Sequence, residues 1–392
     1  MTNTQPSADA AANEMTIEQR ETAGLSQGTI VRRRFLHHRG AVISLGVLIF
    51  ITLFAFSSVG TVVGGSGRLI VDPDTGRQVV DGLRIAGWWW ADWYTNYPIV
   101  NGGSPTLTLF PFSIGEHPFG QDTLGKDVFA RVMRGTQQSL TVTVIVGLLS
   151  TIIGILVGAI SGYFRRWADQ LLMRFTDVII IIPLLVLGAV LGRTIGGNAI
   201  LLAILLGLIA WPGLARLVRA EFLSLREREF VDAARVAGAS DARIIFRHIL
   251  PNAVGVIIVN TTLLMSAAIL LETSLSYLGF GIKSPDVSLG QIITEYQEAF
   301  KTRPWLFWWP GLIIVAIALT INFIGDGLRD AFDPRQKRAL TRKARALASS
   351  TAVRTAAVGG GTAAGAGLGE SGEELRSEAE ERDRRNPPRD DS

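Results

Sequence analysis

The residues best placed to do chemistry lie in one stretch: His117, Asp122 and Asp127, with Gly120, Gly125 and Lys126 among them. Gly120-Gln-Asp-Thr-Leu-Gly125-Lys126-Asp127 nearly matches a phosphate-binding loop. In such a loop backbone amides cradle the phosphates, a lysine neutralises them, and a closing Ser or Thr hydroxyl reaches magnesium. Here the closing residue is a carboxylate, which would repel the phosphates, and no strand pattern precedes the glycines. Nucleotide binding is therefore not expected. His117 with the two aspartates supplies acid–base groups but no nucleophile at a convincing spacing, so no catalytic residue is assigned. The chain contains no cysteine, which removes thiolate metal sites, cysteine nucleophiles and disulfides; no metal site is expected.

The elements that must position these groups are apolar. Of the 392 residues 48% are hydrophobic and only 18% charged, and the apolar residues come in blocks instead of being scattered. A helix needs about 20 apolar residues to cross the ~30 Å hydrocarbon core. Six blocks qualify, at 41–63, 140–164, 171–191, 199–218, 253–275 and 306–324. This excludes an ordinary soluble enzyme and sets the expected fold class: an all-α, polytopic membrane protein with six transmembrane helices. The first block follows Arg32, Arg33, Arg34 and Arg39 and resembles a secretory signal. It is longer than a signal's apolar region and lacks a clear cleavage site, which favours an uncleaved span.

Basic residues orient the spans. Arg165 and Arg166, the arginines of 216–247 and those of 335–345 all fall on the side of Arg32 to Arg39. The positive-inside rule then places both termini in the cytoplasm of a multi-pass plasma-membrane protein. The formal charge of +4 becomes a topology signal, and no nucleic-acid partner is expected. The resulting division is a disordered tail at 1–28, a basic segment and first span at 29–63, an extracytoplasmic segment at 64–138, and a five-helix core at 139–330. The core carries a cytoplasmic loop at 219–251, and a basic, then low-complexity, disordered tail closes the chain at 331–392.

Within the spans, Gly154, Gly158 and Gly162 recur every four residues and form one small-residue face, a packing seam within the chain or toward a second subunit. Pro183 and Pro212 should each bend their helices. Ionisable groups are few, without the chain of carboxylates a proton or sodium relay would need. Asp177 is expected to pair with a nearby arginine such as Arg174. Glu272 and Asn260 are candidates for lining a passage, helix-end hydrogen bonding being the alternative for Glu272. Trp88, Trp89, Trp90, Trp93, Tyr94 and Tyr97 cluster in the outer segment, as interfacial aromatics do; contact with a partner protein or stacking on substrate are the other readings.

The loop at 219–251 reads as a helix over 221–236, a break at Gly238, a cap at Ser240, and a second helix over 241–250 ended by Pro251. Asp232, Ala233, Ala234 and Gly238 sit at its tip, flanked by Arg228, Glu229 and Arg235. Small residues there permit close backbone contact, suiting a groove on a partner, although charge alone would equally describe a solvated loop.

Asp232-Ala-Ala-Arg235-Val-Ala-Gly238, nine further residues and His248-Ile-Leu250-Pro251 resemble the EAA loop of ABC importer permeases. Asp232 stands where that loop usually has Glu, and His248 where it usually has Ile. His117-Pro-Phe-Gly-Gln-Asp122, Glu272-Thr-Ser-Leu-Ser-Tyr-Leu-Gly279 and Asn322-Phe-Ile-Gly-Asp-Gly-Leu-Arg-Asp330 resemble the dipeptide, oligopeptide and nickel branch. Arg34-Phe-Leu-His-His-Arg39 resembles its C-type subunit. The resemblance implies a type I ABC importer transmembrane domain that pairs with a homologous B-type permease. It implies ATP-binding subunits that hold ATP and magnesium, this chain binding no cofactor, and an extracytoplasmic solute-binding protein that delivers peptide. Asp232, Ala233, Ala234, Arg235, Gly238, Leu250 and Pro251 would form the ATPase-coupling surface. Nickel or another small solute remains an alternative cargo. A stand-alone secondary transporter and a membrane-anchored enzyme are the rivals from other classes.

Overall fold

The computed structural model describes residues 27–332 apart from 64–68, 72–77, 81–82, 86, 110–111 and 285. Nearly all of the two expected tails lies outside these residues.

Helix α1 (Gln27–His37) turns at His38 into α2 (Arg39–Ser58), where the His38 ring nitrogen Nδ1 accepts the Ala41 amide at 3.1 Å and caps the new helix. The first span was expected to run to 63, but the helix stops at Ser58. Gly60 takes a left-handed conformation (φ 70°), and the β-branched run that follows forms β1 (Thr61–Val63), antiparallel to β4 (Leu83–Ile85). The freed carbonyls at the end of α2 are not wasted: the Gln137 amide donates to Ala55 O (2.8 Å) and Gly60 O (2.9 Å). Two further hairpins, β2 (Leu69–Val71) with β3 (Gln78–Val80) and β5 (Leu107–Leu109) with β6 (Phe112–Ile114), complete the strands among the described residues.

The central element is α3 (Val128–Phe164), which starts well before the apolar block at 140 because Asp127 caps it. Next come α4 (Arg166–Ile181) and α5 (Leu184–Ile195), bent by 79° about Pro183, then α6 (Ala199–Ile209) and α7 (Pro212–Arg226), bent by 41°. Proline lacks the amide that would continue each ladder, and Pro212 instead opens α7, where no donor is needed. The remaining helices are α8 (Glu229–Val236), α9 (Asp241–Arg243), α10 (Leu250–Tyr277), α11 (Leu289–Tyr296) and α12 (Trp305–Phe332). Helices α2, α3, α12 and the continuous run Asp241–Tyr277 are each long and apolar enough to span; with each bent pair taken as one broken span, the total is six. The fold is an all-α polytopic membrane architecture with small two-stranded sheets between its first two spans.

The expected stop at Pro251 does not occur. A π-helical run over Ile244–Ile249 joins α9 to α10, and Leu250 N donates five residues back to Ile245 O. A widened turn relieves the clash between a helical proline ring and the carbonyl four residues earlier, so the helix passes through Pro251. The first helix of the loop is also broken: α7 ends at Arg226 and α8 begins only at Glu229, with Glu227 drawn to Arg165 at 2.6 Å.

The glycine face of α3 packs inside the chain, against α7. A Cβ on Gly158 would lie 2.6 Å from Ala215 O, and one on Gly162 would lie 2.8 Å from Arg219 O. Ser150 Oγ donates to Gly207 O (2.9 Å), fastening α6 to the same helix. Backbone cannot yield as a side chain can, so Gly158→Ala should cost about 1–3 kcal/mol, the usual range for overpacking. Gly213→Ala, with nothing within 4 Å of the added carbon, is expected to be neutral. Thermal unfolding of the two variants in detergent compares them directly; equal melting would show that the seam tolerates a methyl group.

Candidate coupling element and outer polar network

Helix α8 is short and two-faced. Val231 and Ala234 are buried with Phe222, Ile244, Ile245 and Ile249 in one cluster, so the helix is seated on the π-helical run and on α7. Asp232, Ala233, Arg235, Val236 and Gly238 are exposed. Val236 is the telling residue: it is 91% exposed, the barest large apolar side chain of the helix. Ala234, expected at the tip, is only 8% exposed and belongs to the element's own core.

The turn after α8 is fixed by backbone geometry. Gly238 N bonds Arg235 O (2.9 Å), Ala239 N bonds Ala234 O (3.0 Å), and Gly238 has φ 77°, a left-handed helix ending that suits glycine. Arg235 reaches Asp232 at 2.8 Å, but Asp232 is largely exposed, and such a pair contributes about 0.3–0.5 kcal/mol at most. Leu250 is half-buried against the same cluster and Pro251 is exposed. Tyr163 OH donates to Asp241 at 2.6 Å and Arg219 grips Asp169 through two bonds (2.5 and 2.7 Å), which joins the element's base to α3, α4 and α7. Asp177 is paired as expected, but with Arg216 on α7 (2.5 Å) instead of Arg174.

Glu272 is fully buried between α3 and α10. Its two oxygens accept Ser139 Oγ (2.8 Å) and Ser276 Oγ (2.7 Å), so it lies in the seam between the two helices. The reason is chemical: a carboxyl surrounded by hydroxyls has its hydrogen bonds met without water. Asn260, part-exposed, turns back on its own helix to donate to Val256 O (2.7 Å).

In the near-match to a phosphate loop, the Gln121, Asp122 and Asp127 side chains are engaged in structure. Asp127 Oδ1 accepts Ala130 N (2.6 Å) and Trp89 Nε1 (3.3 Å), and Oδ2 meets His117 Nδ1 at 2.5 Å. Asp122 Oδ1 accepts the amides of Leu124 and Lys126 (2.8 Å each), which shapes the turn, while Oδ2 accepts Tyr296 OH (2.7 Å). Arg131, 2% exposed, donates to Tyr296 Oη and to Glu295 (2.5 Å), with Asp122 at 3.6 Å. Burial pushes the Tyr296 phenol well above the usual tyrosine range; the Arg131 guanidinium opposes this, and Glu295 and Asp122 add to it. The phenol therefore stays a neutral donor. Sequence reasoning missed this arginine–tyrosine–carboxylate network because Glu295 and Tyr296 lie far along the chain; an arginine just inside an apolar helix was its one local signal. The aromatic cluster also splits: Trp89 and Trp93 are buried, with Arg134 over the Trp93 ring at 4.6 Å, while Trp88 and Trp90 are exposed.

The family described as the binding-protein-dependent transport system inner membrane component matches residues 154–338, and the N-terminal transmembrane domain of oligopeptide transport permease C matches 26–63. The chain is 37% identical over 314 residues to the oligopeptide transport system permease protein OppC of Mycobacterium tuberculosis, covering 80% of this chain and 96% of that one. It is 45% identical over 222 residues to a Brucella ovis protein provisionally named a peptide permease, covering 56% of this chain and 74% of that one. Among solved structures, a chain of the inward-facing MetNI methionine ABC transporter matches at 22% identity and TM-score 0.43, over 52% of this chain and 96% of that chain.

Proposed function

The chain belongs to the family of inner-membrane permease components of binding-protein-dependent transport systems, of the oligopeptide-permease C type, and from that premise we propose that it forms half of the passage of an ATP-driven peptide importer. It pairs with a homologous B-type permease, receives peptide from an extracytoplasmic solute-binding protein, and leaves ATP and magnesium to two ATP-binding subunits. Both termini lie in the cytoplasm, a reading that the clustering of basic residues on one side of the spans supports. The observation that carries the coupling role is the bare face of α8, with Val236 almost fully exposed above a buried Val231 and Ala234. A docked apolar side chain on a rigid base transmits displacement: when ATP draws the partner subunits together, α8 moves with them and carries α7 and α10. The outward apolar stripe of α4, with Trp167, Leu171, Phe175 and Val178 exposed, suits lipid or the B-type subunit.

Uptake of labelled di- and oligopeptides in a strain deleted for this gene tests the reading. Restoration by the intact gene, together with the strain's other transporter subunits, is expected. Restored nickel uptake with no peptide uptake would assign another cargo.

A further inference from the structure

The outer segment holds a cleft of about 520 Å³, lined by Trp90, Tyr97, Pro98, Val100, Glu116 and His117, that the transport reading leaves unused. Its walls are rings. Trp90 stands edge-on to Tyr97 with centroids 4.9 Å apart and lies 5.3 Å from the His117 ring, which is 6.1 Å from Tyr97. All but Trp90 are braced from behind. Tyr97 Oη accepts the Asp92 amide (2.8 Å), His117 is locked to Asp127, and the buried Gln121 side chain holds the loop by accepting Val100 N (2.7 Å) and donating to Pro98 O (3.0 Å). The cleft is therefore built in advance of any guest. Trp90 is 51% exposed, leaving much of its indole open to an arriving group.

Glu116 is exposed, and among the described residues it has no ion-pair partner. An aromatic wall beside a free carboxylate attracts a cation, and the rings favour one that sheds water readily, an organic ammonium over sodium. We propose that this cleft binds an organic ammonium group, its hydrocarbon or N–H surface against Trp90 and Tyr97 and its charge answered by Glu116. The site stands apart from the candidate ATPase-coupling element. Two sources share this chemistry: a soluble amine, or the headgroup of a lipid. The second has a structural basis, since neighbouring Trp88 lies against Phe54 at the end of α2 (centroids 5.8 Å). A guest would also rest on His117, whose partner Asp127 caps α3.

The test uses the full chain in maltoside micelles, with choline as the probe and 3,3-dimethylbutan-1-ol as its uncharged isostere. Saturation-transfer NMR should give saturable binding of choline and at least about tenfold weaker binding of the isostere, as a charge-dependent site requires. Trp90→Ala and Glu116→Gln should each weaken choline by about tenfold or more, and Glu116→Lys should abolish it; all three alter exposed side chains, and unchanged circular dichroism confirms the fold. Native mass spectrometry separates the sources. Retention of phosphatidylethanolamine over phosphatidylglycerol by the wild type but not by Glu116→Gln assigns the lipid; no such preference, with choline still bound, assigns a soluble amine. Equal binding of choline and its isostere, or binding untouched by Glu116→Gln, overturns the proposal.

Discussion

Arg131→Leu should destabilise the protein by about 3–5 kcal/mol, the usual cost of removing one partner from a buried ionic network. Arg131 is 2% exposed and is the cation between Asp122, itself 1% exposed, and Glu295. Without it the buried Asp122 carboxylate is left without its cation, and Tyr296 loses one of its two hydrogen-bond partners. Arg131→Lys should lose less but still fail to restore the wild type, because a single ammonium cannot fork to Tyr296 and Glu295 together. Adding Asp122→Asn to Arg131→Leu should recover part of the loss, since the amide oxygen can still accept from the turn while the stranded charge is gone. Thermal unfolding in detergent, followed by near-ultraviolet circular dichroism, measures all three. Additive losses in the double variant would mean that the two residues do not communicate.

Val236→Asp should leave the chain folded and inserted yet reduce peptide uptake by about tenfold or more, as loss of a central apolar anchor does at other interfaces. Val236 is 91% exposed, so a carboxylate there meets water in the isolated subunit and a desolvated groove only in the assembly. Ala234→Arg is a poorer probe than its place in the motif suggests. It would force a charge into the cluster with Phe222, Ile244 and Ile249 and unseat α8 itself, so lost uptake would report unfolding as readily as lost docking. Gly238→Ala is intermediate: nothing crowds the added methyl, but φ 77° costs an L-residue about 1 kcal/mol. Normal uptake by Val236→Asp, with the ATP-binding subunit still co-purifying, would remove α8 from the coupling surface.

The apolar blocks announce the spans because bilayer thickness acts on every residue of a helix at once, and Pro183 and Pro212 mark the two bends because a missing amide is a local fact. The glycine spacing of α3 shows a close-packed face but not its partner; the partner is α7, which only the folded chain brings alongside. Where one residue's surroundings decide, the sequence is silent. Ala234 and Ala233 are neighbours of the same type, yet one is buried and the other exposed, and nothing local separates them. Asp127 reads as a failed magnesium ligand until it is seen to cap α3. Pro251 reads as a helix end until the π-helical run makes room for it. Glu272 offers both passage lining and hydrogen bonding as readings, and its bond to Ser139, far away on α3, is visible only in the folded chain.

The absence of cysteine from the chain allows the coupling claim to be tested by single-cysteine crosslinking. Val236→Cys is introduced alone in the assembled transporter and treated with a short bifunctional reagent reactive toward cysteine and lysine. Phe112→Cys, exposed in the outer hairpin, serves as the control. The account predicts a crosslink from residue 236 to the ATP-binding subunit and none from residue 112. No crosslink at 236, in a complex that still hydrolyses ATP in response to peptide, would contradict it.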